Sequence, residues 1–101
     1  MATVRLLGDD ELSPEAKAVF DDIRAARGSD FVNDFWRAMA HDPPAMKALW
    51  ERLKVVMAPG ALDPVVKEMI YVAVSTANGC QYCIHSHTAS ARAKGMSPEM
   101  H

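Results

Sequence analysis

The sequence has little of several things, and each scarcity excludes something. Only 2 of its 101 residues are cysteines. That is too few for a disulfide scaffold, and cysteines used so sparingly usually carry redox chemistry or bind metal. There is no basic excess, because 11 lysines and arginines stand against 13 acidic residues for a net charge of −2. Such a surface does not neutralise phosphates, so neither nucleic acid nor an anionic membrane is an expected partner. No apolar run approaches the ~20 residues of a membrane span. The first ten residues, Met1 to Asp10, contain no apolar core of a leader, so the expected location is the cytoplasm. Strand alternation, internal repeats and low-complexity segments are missing as well. What remains is a globular composition, 50% hydrophobic and 24% charged, at a length suited to one domain with one core.

The pattern reads helical nearly throughout. Ser13-Pro14 is an N-cap followed by proline at the first helical position. Behind it Ala16, Val19, Phe20, Ile23 and Ala26 recur at helical spacing, and Gly28 supplies the stop. Phe31, Phe35 and Met39 predict the buried stripe of a second, shorter helix ending near His41. Asp42-Pro43 opens a third, with a stripe of Met46, Leu49, Trp50, Leu53, Val56 and Met57 before Pro59-Gly60. Asp63-Pro64 opens a fourth that runs to Asn78-Gly79, and Cys80 begins a fifth that runs to Lys94-Gly95. Ser97-Pro98-Glu99 has the look of a sixth start. The expected fold is an all-α bundle, one domain over 1–101, apparently cut short within a C-terminal helix. A domain short of one helix exposes apolar surface, so association between subunits is expected.

One acid stands in an unusually uncharged stretch. Between Pro64 and Ile84 only Lys67 and Glu68 carry formal charge. A helix this apolar is expected to be buried around most of its circumference. At helical spacing Glu68 shares a face with Val65, Val72, Ser75 and Thr76. It is therefore either desolvated and in need of a hydrogen-bonding partner, or it lies on the solvent side next to Lys67.

The informative stretch is Cys80-Gln81-Tyr82-Cys83-Ile84-His85-Ser86-His87. It follows a helix stop, so both cysteines fall in the first turn of the next helix. Cys80, Cys83 and His87 stand at i, i+3 and i+7 and share one face. His85 points roughly 140° away from Cys80. Free amides at a helix N-terminus stabilise a thiolate, and the thiolate is the nucleophile. The two thiols are close enough to form a disulfide with modest adjustment, and His87 can take or give a proton. A sulfur that attacks a peroxide becomes a sulfenic acid, and a neighbouring thiol condenses with it. Other readings stay open at this point. Cys80, Cys83, His87 and Glu68 could also form a zinc set, although a second Cys/His pair is missing. Covalent haem would need histidine where Ile84 stands, and two buried cysteines could simply pack as small hydrophobes.

Glu68, eleven further residues, and then Cys80-x-x-Cys83-x-x-x-His87 resembles the signature of the AhpD-like alkylhydroperoxidases of the carboxymuconolactone decarboxylase superfamily. The resemblance implies an AhpD-like all-α fold around a central antiparallel helical hairpin, assembled as homo-trimers or homo-hexamers. It implies reduction of hydroperoxides or disulfides with no metal, flavin or other cofactor. Position by position, Cys83 matches the cysteine that is oxidised by peroxide. Cys80 matches the resolving cysteine, open to an external dithiol such as a lipoyl-bearing protein or a peroxiredoxin. Glu68 and His87 match the proton relay. Tyr82 departs from the pattern, since the best-known members have histidine there, and a phenol with a pKa of about 10 is a poor shuttle at neutral pH. Two alternatives accompany this reading: a redox-sensing or assembly module without turnover, and a decarboxylase-like lyase using Glu68 and His87 as acid and base.

Overall fold

The computed structural model describes residues 3–101. Among them are five α-helices, one short 3₁₀ helix at Asp9–Glu11, and no strand. The helices are α1 Pro14–Arg27, α2 Asp34–Met39, α3 Pro43–Met57, α4 Pro64–Ala77 and α5 Gln81–Ala93. No helix among the described residues is long and apolar enough to cross a membrane. The chain divides into two compact units, the first ending at Val56 and the second running from Met57 to His101.

In the first unit the helix ends follow the sequence signals. Ser13 Oγ accepts from the Ala16 N–H at 3.2 Å, Pro14 occupies the first turn, and Gly28 ends α1 in the left-handed region at φ 62°. Ala16, Val19, Phe20 and Ile23 are buried at the predicted spacing and meet Met46 and Trp50 of α3 in one core. Trp36 packs edge-to-face on Trp50 with ring centroids 5.6 Å apart, a favoured aromatic geometry.

The second helix departs from its predicted stripe. Phe31 is 68% exposed and Phe35 is also exposed, while Val32 and Trp36 are buried. The reason is where the helix begins. Only at Asp34 does the backbone turn helical, so Phe31 and Val32 lie in the preceding connection and alternate sides there. Leu49 and Val56, on the margin of the α3 stripe, are exposed as well.

The second unit is a helical hairpin. Asp63 Oδ1 caps α4 by accepting from the Val65 N–H at 3.0 Å, and Pro64 fills the first position. At the other end the Gly79 N–H donates to the Thr76 carbonyl at 3.1 Å and the Cys80 N–H to the Ser75 carbonyl at 3.0 Å. This paired closure is a Schellman motif, and it needs a left-handed residue. Gly79, at φ 65°, supplies it. The tight reversal sends α5 back antiparallel along α4. The same closure ends α5, where the Gly95 N–H donates to Arg92 O and the Met96 N–H to Ala91 O. Beyond it, Ser97 starts a single turn, with its Oγ accepting from the Met100 N–H at 3.3 Å.

The expectation that α4 is buried around most of its circumference does not hold. Glu68 and Ser75 are its buried residues, whereas Val66, Ile70 and Val74 are exposed, the last at 53%. Within its unit α5 is the one helix that packs on α4, and a single partner helix covers a single face. The apolar residues on the remaining face stay uncovered.

Candidate functional site

The hairpin sets the site because it brings the middle of α4 against the second half of α5. Glu68 is 5% exposed. Of the two placements open to it from the sequence, the structure shows the desolvated one, with partners. Its Oε2 lies 2.9 Å from His87 Nδ1, and its Oε1 accepts from Lys94 Nζ at 2.8 Å. Burial alone pushes the Glu68 carboxyl up, toward its neutral form. The hydrogen bonds and charges of His87 and Lys94 together outweigh that and hold it below the usual glutamate range. A carboxylate only accepts, so the hydrogen on this contact belongs to His87 Nδ1. In the neutral imidazole, Nε2 is then a bare acceptor.

Tyr71, one turn after Glu68 on α4, stacks flat on His87 with ring centroids 3.9 Å apart and planes 6° from parallel. Burial raises its phenol first, and the negative charges of Glu68 and Cys83 raise it further. Tyr71 thus senses both the carboxylate and the cysteine end of the site.

The cysteines are free thiols. Cys80 is the N-cap of α5, and its Sγ accepts from the Cys83 N–H at 3.3 Å. Its thiol is pulled below the ordinary range, first by a hydrogen bond from the Cys83 side chain, then by the backbone N–H of Cys83 and that of Tyr82. Cys83 is pushed up, first because its side chain shares that hydrogen bond, then by burial and by the charge of Cys80. The helix terminus therefore lowers one thiol rather than both. The amides point at the capping sulfur, and Cys83, three residues inside, supplies one of those amides itself. Of the two thiols, Cys80 is the one that gives up its proton more readily.

The remaining sequence features fall outside this cluster. Both Tyr82 and His85 are exposed. Within the first unit, His41, just beyond α2, contacts the Arg5 carbonyl. Among the described residues no group of three or more His, Cys, Asp or Glu side chains is arranged to hold a metal ion. Sequence reasoning missed Tyr71 and Lys94. The i, i+3 spacing from Glu68 was a signal available for Tyr71. For Lys94, which is reached only across the hairpin, there was none.

An all-helical chain with a dithiol at one helix tip and a buried carboxylate–imidazole pair one turn away defines a thiol-based site on a helical scaffold. Comparison with known proteins agrees. The model of the carboxymuconolactone decarboxylase family matches residues 43–100. The chain is 67% identical to the alkylhydroperoxidase AhpD core from Rhodospirillum rubrum, whose crystal structure it matches with a TM-score of 0.95 over 100% of this chain and 76% of that one. It is also 38% identical, over 78 residues, to a Paracoccus denitrificans protein described as "uncharacterized protein 4 in cox locus", covering 77% of this chain and 68% of that protein. The chain belongs to the carboxymuconolactone decarboxylase family and is an AhpD-like member of it.

Proposed function

We propose that this protein is a thiol peroxidase that reduces hydroperoxides through Cys80 and Cys83 and is recycled by an external dithiol. The observation that carries the reading is the hydrogen-bonded cysteine pair at the α5 tip, with the Glu68–His87 pair one helical turn further along. The likeness to an alkylhydroperoxidase core supports it.

Cys83 passes its proton along the shared hydrogen bond to Cys80, or to His87 Nε2, as its sulfur attacks the terminal peroxide oxygen. The O–O bond breaks, Cys83 becomes a sulfenic acid, and the departing alkoxide takes that same proton and leaves as the alcohol. The Cys80 thiolate then attacks the Cys83 sulfur, and the hydroxyl leaves as water with a proton drawn from solvent through His87. A dithiol reductant, such as a lipoyl-bearing protein or a peroxiredoxin partner, attacks the disulfide at Cys80, the half-buried N-cap, and becomes a disulfide itself. Both reactions belong to the cytoplasm, and neither calls on a cofactor. Assembly into trimers or hexamers is part of the same proposal. Val66, Ile70 and Val74 form an exposed apolar row at i, i+4 and i+8 on α4, the kind of surface that subunit contacts cover.

Intact mass after one equivalent of an alkyl hydroperoxide tests the chemistry. The expected product has lost two hydrogens and gained no oxygen. In a Cys83→Ser variant stopped-flow consumption should collapse. Undiminished consumption by that variant refutes the role of Cys83. Oxidation that changes light scattering without turnover would instead favour a redox-sensing assembly module. Full activity with both cysteines replaced by alanine would favour a lyase using Glu68 and His87.

A further inference from the structure

The four signature residues lie along the proton path, but the carboxylate also has a partner outside the signature. Lys94 is the C-cap of α5, fixed there by the Gly95 closure. Its ammonium reaches back to Glu68 Oε1 at 2.8 Å, while its side chain remains 37% exposed. Glu68 is therefore gripped from both sides, by an imidazole on one oxygen and an ammonium on the other. We propose that Lys94 sets the tautomer of His87: by holding Glu68 as the acceptor of the Nδ1–H, it leaves Nε2 bare to take a thiol proton.

Burial is the largest influence on Glu68, and it favours the neutral acid. With Lys94 gone, only His87 opposes it. A neutral Glu68 has an O–H to donate, and the nearest acceptor is His87 Nδ1 at 2.9 Å. The imidazole proton then moves to Nε2, and a ring with N–H at that position cannot accept from a thiol. The groups that act on Glu68 are His87 and Lys94, from α5 and its cap, while Tyr71, from its own helix, stacks on the His87 ring. Tyr71 bears an N–H-independent face on the ring and does not choose between tautomers. Lys94 is the member that does. It is a positioning residue, since it acts on the sulfur chemistry only through Glu68 and His87. The catalytic consequence rests on the peroxidase reading, whereas the tautomer does not.

Nitrogen-15 histidine spectra of the reduced, peroxide-free protein at neutral pH decide the matter. The unaltered protein should show His87 with a protonated Nδ1 and a bare Nε2. Lys94→Gln should lose that pattern, giving a protonated Nε2 or a mixture, and Lys94→Arg should restore it. In peroxide consumption the acid limb of the Lys94→Gln profile should move to higher pH, and Lys94→Arg should return it. A protonated Nε2 in the unaltered protein overturns the proposal, even if the Gln variant does not fold. So does a folded Lys94→Gln protein with the parent pattern. If the spectra behave as expected but no peroxide is consumed, the peroxidase reading fails and the Lys94 assignment stands.

Discussion

Replacing Glu68 by glutamine tests the charge and not the shape. The carboxylate accepts two charge-assisted hydrogen bonds, from His87 at 2.9 Å and Lys94 at 2.8 Å. Each such bond contributes about 1.5–3 kcal/mol. Glutamine fills the same volume and keeps one acceptor oxygen, so one of the two partners then meets an amide N–H₂. The Lys94 end is more than a third exposed and can turn to water, which places the loss at the lower end, about 1.5–2 kcal/mol. The sign with pH follows from Glu68 itself. Its carboxyl is held below its ordinary value of 4.5 in the folded protein. Its contribution is therefore complete above that value and disappears as pH falls through the lower, folded one. The assay is urea unfolding of the reduced parent and Glu68→Gln proteins at a series of pH values, compared as a difference so that other titrating groups cancel. The gap should be widest near neutrality and should close on acidification. A gap under about 0.5 kcal/mol at neutral pH, or one that does not change with pH, would refute the view that a buried, ionised carboxylate organises this hairpin.

Two further outcomes follow from the same structure. Limited alkylation of the reduced protein at neutral pH should label Cys80 before Cys83, because the N-cap sulfur is lowered and its partner raised. In Cys80→Ser, Cys83 should become more reactive than it is in the parent. Peptide mass mapping reads both results, and preferential labelling of Cys83 in the parent would contradict the assignment of charge. In the first unit, Phe20→Ala empties a site that is 0% exposed. It should cost about 3–5 kcal/mol, read as a lowered urea midpoint with unchanged slope, and a loss below about 2 kcal/mol would mean that the cavity collapses.

The parts of this fold legible in the sequence are those decided within a few residues. Ser13-Pro14, Asp63-Pro64 and Asn78-Gly79 mark helix ends because capping is local chemistry, and all three operate as expected. Which face a helix buries is a different matter. The apolar row Val66, Ile70 and Val74 outscores Glu68 on any hydropathy scale, yet the acid is inside and the row outside. That outcome depends on how α4 is rotated against α5, which is fixed by pairing across the turn. Lys94 was invisible for the same reason, being 26 residues from the oxygen it binds. The amides of the helix tip act on Cys80 after the Cys83 side chain does, and Cys83 itself is raised. The choice between the two thiols turns on a three-residue offset, with Cys80 at the N-cap and Cys83 in the first turn.

A stability argument does not explain why the hairpin buries an acid at all. Desolvating Glu68 works against folding, and its two partners only offset that cost. A well-packed apolar side chain at the same position would serve stability as well or better, as with buried ion pairs in general. What a leucine there could not do is accept from Nδ1 of His87, and an imidazole without that acceptor has no fixed tautomer. Tyr71 adds to the same end, because a ring stacked flat at 3.9 Å restrains rotation of the imidazole without competing for its nitrogens. The three contacts around His87 and Glu68 each remove one freedom: the stacking fixes the plane, the carboxylate fixes the proton, and the ammonium fixes the carboxylate. An arrangement that restrains orientation, tautomer and charge together while gaining little stability makes sense as preorganisation of a base for the thiol one turn away.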